Sequence, residues 1–212
     1  MLFRSSGAGL VTIATPACCV PIVASLAAEY MTEPLADTPA GEVAERAVEA
    51  VLGLRQDVIA CGPGLGRGEG SAAFVRALVE RSPVPLVLDA DAVLAFEGDP
   101  GRLVGHDERI IVITPHPGEM ARLLGKTIEE VQADRVAIAS EFAATNQVYV
   151  VLKGHRTVIA APSGAVAINP TGNPGMATGG TGDVLTGMIA AWPCSCTAPP
   201  AIWRPATMAA SR

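Results

Sequence analysis

The chain has 212 residues, half of them apolar and 17% charged, with a formal net charge of −6. This describes one globular domain with a substantial core rather than a disordered chain. The acidic balance, with no basic run interleaved with aromatics, argues against nucleic acid as a main partner.

Arg4 followed by the apolar residues 9–28 has the outline of a secretory leader, but Pro16 and Pro21 interrupt it and its basic region is one arginine. Residues 10–15 read better as a buried strand, with Pro16 in the first turn of a helix reaching residue 28. The same prolines exclude a membrane span. Further along, the near-continuously apolar runs 57–61, 85–89, 109–114 and 148–153 read as strands covered on both faces of a parallel sheet. Helices are expected at 43–54, 70–81, 117–124, 128–145 and 184–191. Residues 157–160 and 165–168, around Pro162-Ser163-Gly164, read as a hairpin. This alternation predicts an α/β fold, a three-layer α/β/α sandwich with a mostly parallel central sheet. Ligands gather at the C-terminal strand ends of such sheets. The five cysteines have neither zinc-site nor disulfide-framework spacing, so reduced thiols in a cytoplasmic protein are expected.

The most informative segment runs from Asn169 to Gly187, a glycine-rich loop that ends in Asp183 and enters an apolar helix. Glycines let backbone N–H groups approach a phosphate, and the helix start adds partial positive charge. The amides of Gly180, Thr181 and Gly182 are a candidate anion hole, and Asp183 a candidate base for a substrate hydroxyl. An acid at a helix start also stabilises the macrodipole. Four other loops fall at strand ends. Gly62-Pro63-Gly64-Leu65-Gly66 is either a ligand turn or ordinary turn punctuation. Asp89 and Asp91 either meet Mg²⁺ through water or cap a helix starting near Ala92. Thr114-Pro115-His116-Pro117-Gly118-Glu119 fixes an imidazole between prolines, with an acid in the following first turn. Lys153 offers a point charge to a phosphate, or caps an edge strand.

In order, segments 62–66, 114–125, 153–157 and 169–187 resemble the ADP/ATP-dependent NAD(P)H-hydrate dehydratase family of the ribokinase-like superfamily, over residues 7–191. The run from Asn173 to Asp183 is the most diagnostic. The resemblance implies a carbon–oxygen lyase, an ADP-dependent (S)-NAD(P)H-hydrate dehydratase. A nucleotide phosphorylates the ring hydroxyl of hydrated NADH or NADPH, ADP giving AMP. Phosphate is then eliminated and the reduced cofactor restored. It implies Asp183 as base and substrate contact, with Gly66 and His116 also touching the hydrated dinucleotide. Lys153, Gly154, His155, Arg156, Thr157 and Gly182 would hold the nucleotide, and Glu119 would lie near Mg²⁺. ADP or ATP as co-substrate and a homo-oligomer follow from the same resemblance.

The resemblance also implies a strand and a Gly-rich turn before Gly7, and further helices after residue 191, neither of which this sequence supplies. Residues 192–212 carry four prolines and no apolar periodicity. The expectation is one domain over residues 1–191, incomplete at both ends, with an irregular tail over 192–212 that fits a frameshifted reading frame. Two other readings stand beside the dehydratase: a ribokinase-like kinase of a vitamin precursor or similar alcohol, and an inactive fragment that at most binds nucleotide.

Overall fold

The structure, a computed structural model, describes residues 4–106 and 109–195. Strands β1 (Thr12–Pro16) and β2 (Met31–Leu35) pair in parallel as a separate two-stranded sheet, connected through helix α1 (Val20–Leu26). The main sheet has six strands: β3 (Ile59–Cys61), β4 (Leu86–Leu88), β5 (Ile111–Ile113), β6 (Tyr149–Leu152), β7 (Val158–Ala160) and β8 (Val166–Ile168). Their order in space is their order in the chain. Strands β3 to β6 run parallel, and β7 and β8 add the antiparallel hairpin.

That order decides where the helices lie. Parallel crossovers are right-handed, so strands added steadily in one direction send every connecting helix to the same face. The core confirms it. Leu86, Leu88, Ile111, Ile113, Val150 and Leu152 all point to one face. They pack against α2 (Val48–Leu52), α3 (Glu69–Arg81), α4 (Asp91–Leu94), α5 (Pro117–Leu124), α6 (Ile128–Ala133) and α7 (Arg135–Asn146). Each such fully buried side chain contributes about 1.5–3 kcal/mol relative to exposure. The alternate residues Val87, Val112 and Val151 face the other way, where they meet Leu185, Ile189 and Ala190 of α8 (Thr181–Ser195). Helices, sheet and α8 make the three layers of the expected α/β sandwich.

The local differences from expectation have physical causes. Strand β2 was not anticipated because Pro34 and Glu33 sit inside it, and proline is tolerated only where no ladder donor is needed. The helix expected over 128–145 breaks at Asp134, whose φ of −146° leaves the helical region while its carboxylate caps the Ala137 N–H at 2.9 Å. Helix α8 begins at Thr181, earlier than expected, and continues to Ser195. The rest of the 192–212 tail lies outside the described residues. Cys18, Cys19 and Cys61 are free, and burial pushes the Cys61 thiol up to about 12, keeping it protonated and unreactive. No helix among the described residues is long and apolar enough to cross a membrane.

Candidate active site

Because β3 to β6 are parallel, their C-terminal ends open on one edge of the sheet. The loops beginning at Gly62, Asp89, Thr114 and Lys153 all emerge there. Backbone bonds extend the ladder past the strands. Asp89 donates its N–H to Cys61 O at 3.0 Å, Thr114 to Leu88 O at 3.1 Å, and Lys153 to Pro115 O at 2.9 Å. Gly62 is required at this junction, since a Cβ there would fall 1.8 Å from the Asp89 carbonyl oxygen.

The centre of the site is the pair Asp89–Lys153. The Asp89 carboxylate is 1% exposed as a residue, and Lys153 Nζ donates to its Oδ1 at 2.7 Å. The other oxygen accepts from Thr186 Oγ1 of α8 at 3.0 Å. Burial pulls the carboxyl upward. The Lys153 ammonium and the hydroxyls of Thr114 and Thr186 outweigh it and hold the group below its ordinary value. Lys153 therefore does not cap an edge strand; it is held inward by a buried acid. Its Nζ also lies 3.7 Å from Glu119 Oε2. Gly182 closes over the pair, and a Cβ on it would stand 3.4 Å from both Asp89 Oδ2 and Lys153 Nζ. Asp183 follows directly in the first turn of α8, with its side chain exposed.

Asp89 and Asp91 turn opposite ways because Ala90 between them adopts φ 49° and ψ −120°, a conformation L-residues avoid. Asp89 reaches inward, whereas Asp91 accepts from the Gly66 N–H at 3.1 Å and from Arg67 Nε at 3.2 Å. Gly66 itself has φ 86°.

His116 and Glu119 form a reciprocal cap of α5. His116 Nδ1 accepts from the N–H groups of Gly118 and Glu119 at 3.0 and 3.2 Å, and Glu119 Oε2 accepts from the His116 N–H at 2.7 Å. Backbone N–H groups only donate, so Nδ1 is unprotonated and the ring proton sits on Nε2, which is 3.4 Å from Glu119 Oε1. A cleft of about 350 Å³ opens beside His116, between Arg67, Leu94 and Arg122. A smaller one of about 130 Å³ holds Gly66 and Asp91 and shares those three walls. His116 and Gly66 thus face adjoining clefts, while Lys153 and Gly182 meet at the Asp89 pair. Asp183 lines neither cleft.

The loop from Lys153 to Thr157 turns sharply between β6 and β7, with Gly154 at φ 140° and Arg156 at φ 55°. At the other side of the site Gly180, at φ 84°, leads into α8. Thr181 N–H is bound by Thr178 O and Val184 N–H by Gly180 O, at 3.3 and 3.0 Å. The N–H groups of Gly182 and Asp183 between them are the donors a helix start leaves for an incoming acceptor. As to a metal, the Glu119 oxygens are engaged by His116 and face the Lys153 ammonium. No group of three or more His, Cys, Asp or Glu among the described residues is placed to hold an ion. These residues do not build a resident Mg²⁺ cage.

A profile described as NAD(P)H-hydrate dehydratase matches residues 3–201. The chain is 51% identical over 187 residues to the bifunctional NAD(P)H-hydrate repair enzyme Nnr of Moorella thermoacetica, covering 87% of this chain and 35% of that enzyme. It is 43% identical over 150 residues to the ADP-dependent (S)-NAD(P)H-hydrate dehydratase of Bacillus subtilis, covering 71% of this chain and 52% of that one. The chain thus spans about a third to a half of the length of these curated relatives. Among solved structures it matches the Bacillus subtilis ADP/ATP-dependent NAD(P)H-hydrate dehydratase, co-crystallized with ATP/Mg²⁺ and soaked with CoA. That match has a TM-score of 0.74 and 33% identity, over 92% of this chain and 67% of that one. A ribokinase-like superfamily protein from Enterococcus faecalis matches with a TM-score of 0.73 and 29% identity, over 91% of this chain and 64% of that one. With its sheet, its glycine-rich loop and nearly its whole length matched, this chain belongs to the NAD(P)H-hydrate dehydratase family.

Proposed function

We propose that the chain carries the nucleotide-dependent dehydration of hydrated NADH or NADPH. The observation that supports this best is the junction at Gly182, where the Asp183 loop meets the buried Asp89–Lys153 pair. A fixed cation and free helix-start amides sit one residue from an exposed carboxylate. That combination suits transfer of a phosphoryl group to a hydroxyl.

In this reading the hydrated nicotinamide ring lies toward Gly66 and His116. The nucleotide lies along Lys153, Gly154, His155, Arg156 and Thr157 and against Gly182. Asp183 takes the ring hydroxyl proton as its oxygen attacks the terminal phosphorus of ADP, and AMP leaves. The free N–H groups of Gly182 and Asp183, behind the turn at Gly180 and Thr181, cradle the transferred group. The ring nitrogen lone pair then expels inorganic phosphate, loss of the adjacent ring proton restores the double bond, and NAD(P)H is released. Mg²⁺ would come in with the nucleotide and would supply charge neutralisation there, with Glu119, which faces Lys153 at 3.7 Å, as the acid on that side.

The test is recovery of reduced-nicotinamide absorbance when the chain meets hydrated NADH, Mg²⁺ and ADP or ATP. Recovery that depends on nucleotide and falls by about a hundredfold or more in Asp183→Asn is the expected result. Recovery that survives in that variant removes Asp183 from the role of base. Absence of recovery in the unmodified chain, beside an active full-length relative, rejects the activity for this chain.

A further inference from the structure

Arg135 lies outside every segment given a role above, yet its guanidinium makes three hydrogen bonds to the backbone at and beside the 153–157 loop. It is the first residue of α7, set there by the break at Asp134. Its Nη1 donates to His155 O at 2.7 Å, and its Nη2 donates to Leu152 O at 2.7 Å and to Lys153 O at 3.0 Å. One guanidinium thus gathers three carbonyls of a single turn. Gly154 makes room for it, since a Cβ there would sit 3.0 Å from Nη2 and 3.3 Å from Cζ.

We infer that Arg135 is a positioning residue for nucleotide, acting through the backbone of the 153–157 loop. The peptide bond is planar and trans, so its N–H points away from its C=O. Turning the Lys153 and His155 carbonyls onto Arg135 therefore turns the N–H groups of Gly154 and Arg156 to the opposite side of the loop. Two outward N–H groups, on a turn whose Gly154 and Arg156 have positive φ, are the arrangement that receives phosphate oxygens. Arg135 also cancels the opposing carbonyl charge from behind, which leaves the donor side of the loop electropositive. A lysine cannot do the same work, because only the planar fork presents donors to several acceptors in fixed directions.

The inference rests on the nucleotide reading of this loop, and the experiment separates the two. ADP and ATP affinities are measured calorimetrically for the unmodified chain, Arg135→Lys and Arg135→Met, together with backbone hydrogen exchange of residues 153–157 without nucleotide. The expected result is nucleotide affinity about tenfold or more weaker in both variants, with exchange faster in that loop and unchanged in β4 and β5. Where turnover is measurable, the nucleotide KM rises by the same factor while kcat at saturating nucleotide and the KM for the hydrate stay within about twofold. Should Arg135→Met not fold, Arg135→Lys and Arg135→Gln carry the test. Unchanged affinity in variants of a chain that binds nucleotide overturns the inference alone. A chain that binds no nucleotide overturns the nucleotide reading and this inference with it.

Discussion

The two faces of the main sheet are built differently. One is sealed by the helices connecting its strands, and Leu88, Ile113 and Leu152 on it are fully buried. Among the described residues the other rests on α8, where Leu185 and Ile189 are only partly buried against Val87, Val112 and Val151. The candidate site straddles this division. Lys153, Asp89, His116 and Gly66 are anchored by the sealed side, whereas Gly180 to Asp183 ride on α8. The difference teaches that the binding half of the site is set by core packing. The half holding the proposed base is set by one helix and by the Thr186–Asp89 hydrogen bond that crosses between the two.

The comparison can be broken most directly by paired truncations. Leu88→Ala is expected to cost about 2–5 kcal/mol, and Leu185→Ala clearly less, since its site is neither as buried nor as tightly closed. Equal losses in chemical denaturation would show the two faces to be equally packed. Next, Asp89→Ala removes the nearer of the two acids facing the Lys153 ammonium and is expected to cost about 3 kcal/mol. The pH dependence sharpens this. The folded pKa of Asp89 lies below its ordinary 3.8, so its stabilisation is full above that value and is lost as pH falls through the lower folded one. The difference in thermal midpoint between the unmodified chain and Asp89→Asn should be flat down to about pH 4 and shrink below it. A difference that grows on acidification would reverse the sign of the shift.

A smaller change probes the tie between the faces. Thr186→Val keeps the side-chain shape and removes the hydroxyl, for an expected loss of about 1 kcal/mol. Faster hydrogen exchange should follow in α8 and not in α3 or α5. Exchange rising equally everywhere would mean that α8 unfolds only with the whole domain. Last, Ala90→Gly relieves the positive φ between Asp89 and Asp91 and is expected to stabilise by about 0.5–1 kcal/mol. A loss of stability on that change would mean the methyl group contributes more through packing than the backbone loses through strain.

Much of this was legible in the sequence, and the parts that were not share a cause. The short apolar runs gave β3 to β6. The bounds of α5 at Pro117 and Leu124 follow from a proline at the start and Gly125 at the end, with a φ of 64°. The glycine-rich loop and its acid were visible because they are contiguous. The pairing of Asp89 with Lys153 spans 64 residues, and that of Thr186 with Asp89 spans 97, so no local pattern announces either. Thr186 had one signal: it stands three positions after Asp183, on a neighbouring part of the same helix surface. Arg135 had a different one. Asp134 is a strong N-cap, and reading it as a helix start instead of as part of one long helix would have put Arg135 at a first turn.

The agreement between strand order and chain order also bears on how the molecule assembles. From β3 onward each strand pairs with the one made just before it, so the sheet can grow without a distant partner. Closing longer loops slows folding, and the closure that joins the two halves of the site brings Thr186 back to Asp89 across 97 residues. Helix α8, with the glycine-rich turn ahead of it, is accordingly the last part of the site to take its place during folding. A nascent chain that has completed β8 holds the Lys153 side of the site before the Asp183 side exists.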